Sequence, residues 1–273
     1  MAASHDSLTF VGTIRRFASD WRRYREYVLY TAKAELSSEV SNAYLDWIWW
    51  VLEPFCLMVV YTLVFGVIFK SKEQCFPVFV MCGIAEWRFF SMSIQGSATL
   101  VKSRKMIVSR VYIPKQMLLL VHMFRCAFKS LFSFLVVFAM MVFYGISPQP
   151  LALMVLPSFL LLFLVTYFVC CFVMHLGVFV EDIPHVINVG LTMLMYFTGT
   201  FWSIETRVPA PYGVWLSRVN PVAFSISLAR NGLLYGQNSF HWTYFVWLAL
   251  AFALSVVGTR LVYKNENTYV KVI

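Results

Sequence analysis

The sequence predicts an all-α integral membrane protein. It comprises six transmembrane helices, an N-terminal amphipathic interface helix and short re-entrant helices on the outer side between spans five and six. Three observations carry this. Six apolar runs, at 47–69, 77–100, 116–144, 151–179, 186–203 and 242–262, are long enough to cross a hydrocarbon core, which takes roughly 20 helical residues. The 273 residues are 60% hydrophobic and only 13% charged, against about 25% charged in soluble domains. The basic residues also alternate in density from one side of the runs to the other. Spanning segments must satisfy their own backbone, which leaves helices or a closed barrel, and the runs are continuous, without the dyad alternation of a barrel strand.

The net charge of +9 could suggest nucleic acid, but its distribution points elsewhere. Arg15, Arg16, Arg22, Arg23, Arg25 and Lys33 precede the first span. Lys102, Arg104, Lys105, Arg110 and Lys115 lie between the second and third, and Arg260, Lys264 and Lys271 follow the last. The opposite side carries Lys70, Lys72, Arg207, Arg218 and Arg230. The positive-inside rule therefore places both termini in the cytoplasm, in a multi-pass protein of the cell membrane. No nucleic-acid partner is expected. The whole chain, 1–273, reads as one membrane domain: interface helix 8–45, six-span bundle 47–262 and cytoplasmic tail 263–273. The first forty residues lack the apolar core of a signal peptide. The six cysteines show no C-x-x-C or Cys/His spacing, and most lie within spans.

Along the chain, Phe17, Trp21, Tyr24, Val28 and Ala32 recur every three to four residues, with arginines on other faces. That is the pattern of an interfacial amphipathic helix; a basic juxtamembrane tail without fixed structure is the alternative. Trp47, Trp49 and Trp50 anchor the start of the first span, and Pro54 kinks or initiates it one turn in. The second span carries Glu86 and Arg88. At i and i+2 they point to different faces, so each needs its own partner. The segment 102–114 is basic, then apolar, then closed by Pro114. It reads as a short amphipathic helix that exposes Met106, Ile107, Val111 and Tyr112 for a partner, or as a plain positive-inside anchor. The third span holds Arg125 and Lys129 at i, i+4. His175 in the fourth reads as a helix–helix polar contact, and 181–185 forms the second cytoplasmic turn. From Tyr196 to Gly236, glycines and prolines interrupt a segment that stays rich in aromatics. That combination predicts re-entrant or interfacial helices.

No glycine is followed by lysine, so the chain contains no phosphate-binding loop of the G-x-x-x-x-G-K-[ST] kind. No H-E-x-x-H or G-x-S-x-G occurs. No catalytic or metal-ligating residue is expected, and only Glu86, with Glu53 and His175 at the margins, could serve a proton-coupled carrier. Energy for transport would therefore come from another chain.

Five stretches, in order over about 230 residues, resemble a known family. KAELSSEVSNAYLDWIWWVLEPFCLMVVYTLVFGVIF is similar to the start of the permease subunit of ABC-2 type polysaccharide exporters, with Leu45, Trp49, Pro54, Tyr61, Thr62, Val64 and Phe65 at matching positions. GIAEWRFFS, VSRVYIPKQMLLL, VFVEDIPHVINV and NPVAFSISLARNGLLYGQ resemble later motifs of the same family, the last carrying a family arginine onto Arg230. The wall teichoic acid, O-antigen and capsule export branch is the nearest in pattern. The chain departs from it at Ser37, Glu39 and Ser41, where basic residues are usual. It departs also at Asp46, Thr198-Gly199 and Glu181, which stand in place of a glycine, a "TP" pair and an arginine.

The resemblance implies a homodimer joined to two copies of a separate ATPase. ATP and Mg would be held by that partner, with no cofactor in this chain. The cargo would be a lipid-linked glycan, a polymer on a polyprenyl pyrophosphate, moved across a membrane whose lipid the bundle also contacts. Lys102, Arg104, Lys105, Met106, Ile107, Arg110, Val111, Tyr112 and Pro114 would form the ATPase coupling helix, with Glu181 and Asp182 as a second contact. Tyr61, Glu86, Trp87, Arg88, Phe89, Phe90, Phe197, Trp202 and Arg230 are the candidate substrate path, since sugars stack on aromatic faces and pyrophosphate needs cations. Each of these aromatics also reads as a packing or lipid-facing residue. An ABC-2 permease for another cargo, a drug or plain lipid, is the alternative function. A secondary carrier or membrane-embedded transferase is the alternative of a different class.

Overall fold

A computed structural model describes residues 9–41, 46–71, 73–147, 149–209, 211–237 and 241–272; Leu45 and Lys72 lie outside them. Among the described residues the chain is helical and contains no strand. Four helices are long and apolar enough to cross a membrane: Trp47–Ile68, Lys115–Phe143, Pro150–Phe179 and Trp242–Val272.

The first helix, α1 (Phe10–Ser41), realises the amphipathic pattern. Val28 and Ala32 are buried, Phe17, Trp21 and Tyr24 pack on the bundle, and Arg15, Arg22, Arg23 and Arg25 stay exposed. Helix α2 (Asp46–Tyr61) contains Pro54 and continues as a π-helical stretch, Thr62–Ile68. The central element is α3 (Phe76–Ser103), which contacts α2, α5 (Lys115–Phe143), α6 (Val155–Phe179), α7 (Ile183–Phe197) and α10 (Pro221–Arg230). Its 28 residues measure about 42 Å at 1.5 Å per residue. Glu86 and Arg88 lower its hydropathy midway along, which is why it stands apart from the four helices that each contain a long apolar stretch. Gly177 of α6 meets the Ala98 carbonyl of α3, so a side chain there would push apart two helices that touch backbone to backbone.

Where a fifth span is expected at 186–203, the apolar helix is shorter. Helix α7 has 15 residues, with Pro184 in its first turn, and the chain reverses after Thr198 at Gly199, whose φ is +67°. A Cβ at Gly199 would meet the Ile204 side chain and the Trp202 carbonyl. The segment broken by glycines and prolines resolves into α8 (Ile204–Arg207), α9 (Tyr212–Val219), α10 and a π-helical turn, Asn231–Tyr235. Asn220 caps α10: its side-chain oxygen accepts from Val222 N at 3.0 Å and Ala223 N at 3.3 Å, an arrangement worth about 1 kcal/mol, and Pro221 follows it.

Of the expected tail 263–273, residues 263–272 continue the last helix, α11 (Trp242–Val272). Tyr263, Glu266 and Tyr269, three residues apart, are buried against the bundle and α1, so that stretch is a packed helix face. Polar groups bind the spans together where apolar side chains cannot discriminate partners. Gln116 of α5 donates to the Thr259 carbonyl at 2.9 Å and accepts from the Tyr167 hydroxyl at 3.0 Å. His175 meets the Tyr269 hydroxyl at 2.8 Å, the helix–helix contact that the sequence suggests.

Candidate functional site

Two regions collect the residues singled out in the sequence. The first is at the ends of α3, α6 and α11 nearest the segment 102–114. Segment 102–114 contains a single helical turn, α4 (Lys105–Val108), between α3 and α5. Val108 and Ile113 tuck inward and anchor it. Met106, Ile107, Val111 and Tyr112 point away from the protein, Met106 at 70% exposure and Tyr112 at 59%. Lys105 and Arg110 flank them, also exposed, and buried Pro114 ends the loop at the first turn of α5. The second expected contact lies beside the first: Lys102 Nζ is 3.8 Å from Glu181 Oε1, and Asp182 is exposed next to it.

This loop is fixed from two sides. Arg104 bonds Glu35 of α1 at 2.7 Å. Tyr112 donates to Glu266 Oε2 at 3.3 Å, while Arg16 Nη2 donates to the Tyr112 hydroxyl at 3.2 Å and to the same Glu266 oxygen at 2.9 Å. Burial pushes the Tyr112 phenol up, and the neighbouring Glu266 carboxylate adds to it. Tyr263 donates to Asp20 at 2.6 Å. The interface helix, the exposed apolar loop and the end of α11 thus share one polar cluster.

The second region is the membrane interior, and here the candidate path residues separate into groups. Trp87, Phe89 and Phe90 are packed inside the bundle. Phe89 lies 4.7 Å from Phe159 and 5.8 Å from Phe163 between ring centres, and Trp87 lies 5.4 Å from Phe90. Glu86 is fully buried, and its Oε1 accepts from the Ser158 hydroxyl at 3.0 Å. Arg88 points to another face and bonds Glu53 of α2 at 2.8 Å. The two charges of α3 therefore have separate partners, as their i, i+2 spacing requires.

Arg230 was counted with the outer-side charges but is buried. It donates to the carbonyls of Phe79 at 3.0 Å, Gly199 at 2.8 Å and Thr200 at 2.6 Å, with its guanidinium 3.6 Å above the Phe79 ring. It fastens α10 to α3 and to the turn after α7. Beside it, a polar cavity of about 60 Å³ is lined by Trp202, Glu205, Ser217 and Tyr235, among others. Tyr61 joins an aromatic cluster, 3.9 Å from Phe201 between ring centres, with Phe65 stacked on Phe201 at 5.4 Å. Trp202 donates to the Tyr196 carbonyl at 3.2 Å, and Phe197 is 66% exposed.

Sequence reasoning missed one charge network. Glu35 of α1 accepts from Arg125 at 2.9 Å, and Glu39 pairs with both Arg125, at 3.5 Å, and Lys129. The signal was present: two acids at i, i+4 on one helix and two bases at i, i+4 on another. It also gives Glu39 a reason to be acidic. Glu39→Lys is expected to loosen the end of α1, read as faster proteolysis of that helix in the purified protein, and Lys129→Glu in the same chain should restore protection. Equal cleavage in all three proteins would count against the network.

The family comparison follows the geometry. The family model described as ABC-2 type transporter matches residues 29–234. That range begins within α1 and ends in the π-helical turn after α10, so it contains α3, the exposed loop, Arg230 and all the candidate path residues. Among curated proteins, the O-antigen export system permease protein RfbA of Myxococcus xanthus is 29% identical over 103 residues. The aligned stretch is 38% of this chain and 40% of that relative. With a family match over most of its length and an all-helical, multi-pass architecture, the chain belongs to the ABC-2 type transporter family.

Proposed function

We propose that this chain is the transmembrane subunit of an ATP-driven exporter, working as a homodimer with two copies of a separate ATPase. Its cargo is a polysaccharide on polyprenyl pyrophosphate, of the teichoic acid, O-antigen or capsule type. The observation that carries the partner is the cytoplasmic loop, where four apolar side chains project from a basic surface and are held in place from behind by Arg104 and Glu266. Exposed apolar groups on a rigid mount, outside the lipid, suit a protein groove. The relative's printed role in O-antigen export supports the cargo class.

In this reading all six helices cross. The length of α3 suffices, and midway along it Glu86 is hydrogen-bonded to Ser158 and Arg88 is paired with Glu53. The 15 residues of α7 rise about 22 Å, which in this reading crosses a bilayer locally thinned around it. The basic excess puts both termini in the cytoplasm. Tagging the chain, extracting it gently from its native membrane and identifying what co-purifies tests the proposal. A stoichiometric protein with a nucleotide-binding loop is the expected result. A homo-oligomer that crosslinks to no ATPase would overturn it and move attention to a carrier centred on Glu86.

A further inference from the structure

Where the end of α1, the start of α2 and the middles of α3 and α5 converge, a crevice of about 470 Å³ is lined by Glu39, Trp49, Trp50, Glu53, Arg88, Met92 and Lys129. It differs in kind from the crevice of about 310 Å³ beneath α1, which is walled by Phe17, Trp21, Phe124, Phe163 and other largely apolar side chains. Four of the seven lining residues are charged, and two are indoles. Glu53 lies six residues after Trp47, about 9 Å along the helix. On α2 the crevice thus lies about two turns in from the tryptophans, while Arg88 and Lys129 lie about midway along α3 and α5. Charges at that depth are costly unless polar matter meets them.

The charges are arranged unequally. The Arg88 side chain is 14% exposed and its partner Glu53 is 57% exposed. Lys129 is 16% and Glu39 33% exposed, and the Lys129 ammonium also lies 5.5 Å from the Trp50 ring centre. The cations are thus built into the wall, while their carboxylates stand on the open side. An incoming anion would meet the carboxylates as competitors for two fixed cations. A single carboxylate would replace only one of them. A phosphate or pyrophosphate has enough oxygens for the planar Arg88 fork and the Lys129 point charge together. Trp49, Trp50 and Met92 supply the apolar rim along which a hydrocarbon tail can leave.

We propose that this crevice binds the phosphate head of an anionic membrane lipid, one whose negative charge no cation of its own neutralises, with Arg88 and Lys129 as its ligands and Glu53 and Glu39 as built-in competitors that set its affinity. The assignment rests on the exporter reading only for the depth at which the chain lies in the bilayer. Two sources share this chemistry, the cargo's polyprenyl pyrophosphate and an ordinary anionic phospholipid.

The test uses the full chain, with whatever co-purifies, in phosphatidylcholine nanodiscs carrying either phosphatidylglycerol or a polyprenyl pyrophosphate. Native mass spectrometry counts the lipid retained per protomer. Glu53→Gln should retain more of the phosphate lipid than the unaltered chain, and Arg88→Gln and Lys129→Gln about tenfold less, the scale of a lost hydrogen bond to a charged group. The double variant Arg88→Gln/Glu53→Gln removes the pair without stranding a charge, and it should also lose retention even if Arg88→Gln alone folds poorly. That order with polyprenyl pyrophosphate only supports the site as a cargo subsite. The same order with phosphatidylglycerol supports it as a bilayer-lipid site. Retention of neither lipid, or retention indifferent to Arg88 and Lys129, overturns the proposal. A missing ATPase would instead count against the exporter reading and would leave this measurement unaffected.

Discussion

Replacing Met106, Ile107 and Tyr112 together by aspartate is expected to abolish co-purification of an ATPase while leaving the membrane bundle intact. Met106 and Ile107 are exposed and touch none of the mount, so in the isolated subunit their new carboxylates remain in water and cost little. In a protein groove each would lose the transfer energy of an apolar side chain, about 1.5–3 kcal/mol, and would add the penalty of a buried, unpaired charge. Since 1.4 kcal/mol is a factor of ten in affinity, even partial docking should fail. Tyr112 also bonds Glu266 and receives from Arg16, so its replacement disturbs the mount as well as the contact. Met106→Asp/Ile107→Asp separates the two effects, because neither residue enters that polar cluster. Undiminished recovery of the ATPase, measured by quantitative pull-down, would rule out this loop as the docking element.

Arg230→Met is the second large effect. The methionine fills much of the same space but leaves the carbonyls of Phe79, Gly199 and Thr200 without their donor. A buried polar group stripped of its partner costs about 1–3 kcal/mol, so three, partly relaxed, amount to roughly 3–5 kcal/mol, at the far end of what single substitutions do. The expected result is a marked drop in thermal stability in detergent and poor accumulation in the membrane. Arg230→Lys should recover part of the loss, because an ammonium can reach some of the three carbonyls but lacks the fork. If Arg230→Met kept full stability and only export failed, Arg230 would act on cargo instead of fastening α10 to α3.

Much of the architecture was legible because lipid demands it. A continuous apolar run has few alternatives to a spanning helix, and α2, α5, α6 and α11 begin or end close to where the runs do. The exposed strip of 106–112 was legible for a similar reason: apolar residues beside Lys105 and Arg110 have no use for water, yet the loop is too short to bury them all. The ends of elements were harder to read. Hydropathy cannot separate the last turn of a span from an apolar turn outside it, so span five extended past Gly199. At the other extreme, the end of α11 looked like a polar tail because Glu266 and Lys264 lowered its hydropathy, although Tyr263, Glu266 and Tyr269 form one buried face.

The candidate path divides along the same line. Residue type picks out aromatics and charges but not the side of the helix they occupy relative to neighbours. Trp87, Phe89 and Phe90 are buried within the chain, and Phe201, buried at the centre of the Tyr61 and Phe65 cluster, carried no mark in the sequence to distinguish it from 25 other phenylalanines.

The sequence by itself determined the solvent of this protein, its helical class and the family it belongs to. These follow from composition and local order, which do not need distant residues to be placed. Tertiary structure decided the partners: Glu53 for Arg88, Glu39 for Lys129, Glu35 for Arg104 and Arg125, three carbonyls for Arg230, and Glu266 for Arg16 and Tyr112. Each joins residues that are at least 30 positions apart in the chain. In a low-dielectric bundle a charge must find its counterpart wherever the packing of apolar faces brings one, and that packing is set by the whole set of helices at once.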